Sequence, residues 1–190
     1  MKKVGWLLLL ILPLAACGPS QSPDEVVAEF WQHTTALEIE QANQLLSAEM
    51  QVDPDFSLTE FEESEAPEQL LAEAILKKMS AEPREPEVAG DTAVVMVEVA
   101  GPDMQAVARS VMLEGFGMAL GAALGGMSDE QMEQQINQMI IRELNSDSVP
   151  ISRNLVEHQL IIEDGEWKIS AIDEEALGQV FGMPEAALAP

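Results

Sequence analysis

Two imidazoles and one thiol are the side chains of this 190-residue chain best suited to move a proton or form a covalent bond near neutral pH. His158 falls in the run VEHQLII, where strict alternation puts Val156, His158, Leu160 and Ile162 on one face of a strand. His33 lies in EFWQHTTAL, one helical turn from Phe30 and from Leu37. Neither imidazole has a carboxylate or nucleophile at a telling spacing, so a satisfied core or rim histidine is the simpler expectation for His158. Gly-x-Ser-x-Gly, P-loop and dinucleotide fingerprints do not occur. A single Cys forbids an internal disulfide, and with two His it cannot complete the usual zinc set. Asp53, Asp55 and the run Glu60, Glu62, Glu63, Glu65 lack the spacing of an EF-hand loop and read as a solvated acidic face. The 11 methionines read as packing rather than as copper ligands. No metal and no cofactor are expected.

Charge narrows the partners further. Acidic residues number 34 against 9 basic ones, a net charge of −25, which repels nucleic acid and anionic headgroups. Hydrophobic residues make up 47%, enough for a packed core in one domain.

The lone thiol follows MKKVGWLLLLILPLAA, which has two lysines, an apolar run from Val4 to Leu14 and two small residues. This is the pattern of an export signal, and the run is short of the ~20 residues of a membrane span. Leu14-Ala15-Ala16-Cys17 resembles the lipobox of bacterial lipoproteins. The resemblance implies that residues 1–16 are removed, that Cys17 carries fatty chains such as palmitate, and that residues 17–22 are a tether. Gly18, where an Asp would imply retention at the inner membrane, implies an outer-membrane location facing the periplasm. The membrane, through this anchor, is the first expected partner.

Downstream, Ser22-Pro23-Asp24-Glu25 marks a helix start with a capping box. Val26, Val27, Phe30, Trp31, Thr34 and Leu37 form its apolar stripe. A second helix is expected over 39–47, mainly loop over 51–66, and a third helix in PEQLLAEAILKKM with Lys77 and Lys78 in its last turn. The period then shortens to two. PEVA and Thr92–Val99 read as strands about a Gly90-Asp91 turn, and residues 150–172 as a hairpin about Asp164-Gly165. Trp167, Ile169 and Ala171 are expected on one face of its second strand. A short helix from Glu174 to Phe181 begins a tail over 173–190.

SPDEVVAEFWQ, QANQLLSAEM, GDTAVVMVEV and LIIEDGEWKIS occur in the order of NTF2-like lipoproteins, small bacterial domains of unknown function that this chain resembles. The resemblance implies an α+β cone over 23–172, with N-terminal helices packed on a curved antiparallel sheet. The concave face would hold a pocket lined by Phe30, Trp31 and His33 from the first helix and by Val156, His158, Leu160 and Trp167 from the final hairpin. Some enzymes of the family place Asp and His there, which would make His158 a general base oriented by Glu29 or Asp173. The tyrosine used in ketosteroid-isomerase-type oxyanion stabilisation has no counterpart, because the chain contains no Tyr.

Residues 102–148 interrupt that plan and read as an inserted helical hairpin, 103–124 and 129–145, the second helix opening on a Ser128 and Gln131 capping box. Gly117, Gly121 and Gly125 recur every fourth residue, the spacing of a close-packing helix face. The uncharged stretch between Glu114 and Asp129 spans only about 21 Å as a helix, short of the ~30 Å hydrocarbon core, so packing inside the domain is expected over a membrane span. Three functions are consistent with this reading: a lipid-anchored binding or interaction module, whose partner would be an envelope protein or small apolar ligand; a pocket enzyme (isomerase, dehydratase or hydrolase) using His158; and a self-assembling envelope protein using the glycine face as a homo-oligomer contact.

Overall fold

The computed structural model describes residues 19–51, 66–125 and 128–182, without the side chains of 66–68, 117–125 and 129. The expected loop over 51–66 and the leader with Cys17 therefore lie almost wholly outside the described residues. The architecture is α+β: six helices and a five-stranded antiparallel sheet among the described residues, with N-terminal helices on the sheet and an inserted helical hairpin.

Helix α1 (Pro23–Thr35) starts where the sequence marks it: Pro23 takes the first position and Glu25 Oε2 accepts the Ser22 N–H at 2.9 Å. It ends in a left-handed turn, with the Leu37 N–H on Thr34 O and the Glu38 N–H on His33 O. Leu37 occupies the position usually given to glycine, at φ 61°. Leu37 is thus past the helix rather than on its stripe. Helix α2 (Ile39–Gln44) is shorter than expected, because residues 45–47 peel off to lie beside the sheet, with Leu46 bridging Ile169. Helix α3 (Ala66–Leu76) stops before Lys77 and Lys78. Lys78 instead reaches across to Ser146 O at 3.1 Å.

The sheet runs β1–β3–β4–β5, with β2 beside β1 on the same edge of β3. Its strands are β1 (Ser80–Pro83), β2 (Glu87–Ala89), β3 (Thr92–Pro102), β4 (Ile151–Glu163) and β5 (Glu166–Ile172). Asp164 and Gly165 take φ 53° and 85°, the left-handed pair a two-residue hairpin turn requires. In β3 the odd positions turn inward, and Val95, Val97 and Val99 are fully buried. In β5 the alternation breaks. Leu160 faces Ile169 and Gln159 faces Ala171, so Ser170 is an extra residue, its hydroxyl donating to Gln159 O. The bulge passes the inward position from Ala171 to Ile172, which packs on the core with Trp167 and Ile169.

Helix α6 (Glu174–Val180) docks on β4 and β3 and buries Val180 completely, so the core continues past residue 172. Its seat depends on Gly101, where an added Cβ would meet Val180 Cγ1 at 3.2 Å and Phe181 Cε1 at 3.4 Å. Gly101→Leu should therefore cost about 2 kcal/mol by overpacking, a fall of roughly 4–8 °C in a thermal melt. An unchanged melt would mean that α6 contributes little.

The insertion forms a second, smaller core. Helices α4 (Met104–Gly125) and α5 (Asp129–Leu144) bury Val107, Val111, Met139 and Leu144 against Ala74 of α3 and Val149. The hairpin thus packs chiefly with α3 rather than over the sheet. No helix among the described residues is long and apolar enough to cross a membrane.

Candidate functional site

His158 sits at the centre of the main core, opposite Val95 in the β3–β4 ladder and 0% exposed. Both ring nitrogens are engaged. The Trp31 indole Nε1–H donates to Nε2 at 3.1 Å, which leaves Nδ1 to carry the proton and donate to Val156 O at 3.2 Å. The ring is therefore neutral, and burial pushes its pKa down to about 4 against the weaker opposing pull of the Val156 carbonyl. Trp31 meets the imidazole edge-on, with centroids 5.9 Å apart, and Phe30 meets Trp31 likewise at 5.6 Å.

A general base needs a lone pair aimed at a substrate. The Nε2 lone pair of His158 is taken by an indole inside packed hydrocarbon. The two acids expected to orient it stand elsewhere: Glu29 binds Gln21 Nε2 at 2.7 Å, and Asp173 Oδ1 caps α6 through the Ala176 N–H at 3.0 Å. Of the expected pocket lining, Trp31, Val156, Leu160 and Trp167 are at most 7% exposed. Phe30 packs partly buried against them.

His33 is not part of this group. It faces outward at the α1–α2 turn, its Nδ1 2.5 Å from Glu38 Oε2 and its Nε2 3.6 Å from Glu29 Oε1. The hydrogen bond with Glu38, then the one with Glu29 against some desolvation, raises its pKa above 6.5. Among the described residues, no group of three or more His, Cys, Asp or Glu could hold a metal ion.

Gly117, Gly121 and Gly125 lie in the second half of α4, and the packing around them falls outside the described side chains. Gly115, two residues before Gly117, lets Met139 of α5 come within 3.9 Å of where its Cβ would stand. Two features were not legible beforehand. One is an open groove of about 400 Å³ on α5, bordered by Gln135, Gln138, Met139 and Arg142. The other is a set of large apolar side chains left in water on α4: Met112 at 73%, Leu113 at 82% and Phe116 at 71% exposure. The sequence signal for the second was the mixed character of α4, which has apolar residues on more than its buried side.

These features define an α+β domain whose sheet core encloses His158, with a helical hairpin that has a core of its own. No protein-family profile matches the chain, and no curated protein matches it. Among the solved structures that match it are three of low similarity. A ketosteroid isomerase candidate from Shewanella frigidimarina is 18% identical, with TM-score 0.41 over 80% of this chain and 94% of that one. A candidate lipoprotein from Bacillus subtilis is 15% identical, with TM-score 0.47 over 87% of this chain, which spans only 48% of that protein's length. TerC, crystallised with polyporic acid, is 13% identical, with TM-score 0.37 over 85% of this chain and 99% of that one. At such distances none of these likenesses carries an activity, substrate or location to this chain.

Proposed function

We propose that this protein is a lipid-anchored binding or interaction module of the bacterial cell envelope, held through Cys17 on the outer membrane and facing the periplasm. The observation that carries the proposal is the Leu14-Ala15-Ala16-Cys17 sequence behind a charged, then apolar leader, with the chain's only cysteine at the position acylation needs. The core supports the non-catalytic half of the reading. The most enclosed titratable side chain among the described residues, His158, has both nitrogens engaged with Trp31 and Val156.

Metabolic labelling with a palmitate analogue tests this directly. The wild-type protein should incorporate label and fractionate with the outer membrane, and Cys17→Ser should lose both. Absence of label in the wild type, or label retained by Cys17→Ser, would remove the anchor and the proposal with it.

A further inference from the structure

The outer face of α4 changes character along its length. Its first turns present Gln105 and Arg109 to water, the Arg109 Nε–H donating to Gln105 O. One turn on, the same side presents Met112, Leu113 and Phe116, all more than two-thirds exposed. Together they expose on the order of 400 Å² of hydrocarbon, within the ~300–600 Å² of the largest patch on a typical monomer, which is often functional.

Charge makes the same place unusual. In a chain with 34 acids, residues 104–128 contain one, Glu114. That carboxylate is paired with the Arg142 guanidinium at 2.5 Å, and Arg109 stands one turn below Leu113. Along α4 itself the apolar patch therefore has little net charge beside it, on a chain that is otherwise strongly anionic. A second copy of the chain fits it poorly. A symmetric contact through this patch would bury about 800 Å², short of the ~1,200 Å² of a stable interface, and would bring together two bodies of −27, since loss of residues 1–16 removes Lys2 and Lys3 and leaves 34 acids against 7 basic residues.

We propose that Met112, Leu113 and Phe116 dip into the outer few ångströms of the same lipid surface that holds Cys17, so that the domain is fixed to the membrane at two points. This rests on the anchored reading above. The chain between Cys17 and Pro23 reaches at most about 20 Å, comparable with the radius of the domain. So short a tether holds the domain against the bilayer surface, where even a weak second contact is populated. Arg109 meets headgroup phosphates while the three apolar side chains enter among the acyl chains. The anchor supplies the affinity, and the patch sets the orientation.

Site-directed spin labelling of the acylated full-length protein, reconstituted in phosphatidylcholine vesicles, tests this. The acylated cysteine takes no label, so Leu113→Cys places one nitroxide on the patch and Gln105→Cys one on the polar turn. Expected is a several-fold gain in oxygen collisions and loss of access to a nickel chelate at 113, with 105 remaining open to nickel. Equal nickel access at the two sites, on protein whose intact mass carries the acyl chains, would overturn the second contact and leave the anchor standing. An intact mass without acyl chains, with label also on Cys17, would overturn the anchor, and this proposal with it. Exclusion of both probes at 113 together with a dimer by light scattering would give the patch to a second copy and overturn the lipid contact.

Discussion

Replacing Trp31 with alanine should destabilise the domain by about 4 kcal/mol, the largest single-residue loss expected here. The indole is 5% exposed and joins α1 to the centre of the sheet, so its removal leaves a void lined by residues that cannot collapse without moving α1. It also strips the only donor from His158 Nε2. Smaller changes separate the two effects. Trp31→Phe keeps most of the ring but leaves the imidazole acceptor unpaired, and His158→Leu keeps volume but leaves the indole N–H unpaired; each should cost about 1–3 kcal/mol. The double variant removes both polar groups at once, so it should recover at least about 1 kcal/mol relative to the summed single losses. Urea unfolding of the four proteins measures this. Strict additivity would show that the 3.1 Å contact carries no coupling energy.

The second large effect is a pH dependence with a definite sign. His158 is neutral in the folded protein down to about 4 but takes up a proton near 6.5 once unfolded. Between those values the unfolded chain binds more protons, so folding stability is full above pH 6.5 and drains away as the pH falls toward 4. The whole span corresponds to roughly 3 kcal/mol. Carboxyl groups in general ionise near 4 as well, so the quantity to measure is the difference in pH slope between wild type and His158→Leu. Equal slopes for the two proteins would contradict a neutral, buried imidazole. His33 has the opposite sense. Its raised pKa gives a contribution fully present below 6.5 and lost as the pH climbs through the folded value. The chain has only two histidines, so NMR should resolve one imidazole titrating above 6.5 and one silent until about 4.

Local signals were readable where the chemistry is local. Pro23 and Glu25 start α1, Asp164-Gly165 turns the last hairpin, and Ser128 with Gln131 opens α5, each within four residues of the backbone group it serves. Strand β1 was invisible for the complementary reason. Ser80-Ala81-Glu82-Pro83 has no intrinsic strand preference and is extended only because the edge of β3 offers partners from Val97 to Ala100. The bulge at Ser170 was equally hidden, because register depends on what the neighbouring strand must bury.

The candidate site divides the same way. Alternation alone put Val156, His158 and Leu160 on one apolar face, and the acidic excess alone argued against nucleic-acid partners. Whether that face enclosed a pocket was not a property of any segment. It depended on Trp31, 127 residues away, which brings its indole onto the imidazole. The exposure of Met112, Leu113 and Phe116 was likewise decided by where α3 and α5 came to rest against α4. Sequence determined the elements, their polarity and the charge of the surface, because these follow from neighbours along the chain; tertiary packing decided which groups meet and which are left facing outward, because that follows from neighbours in space.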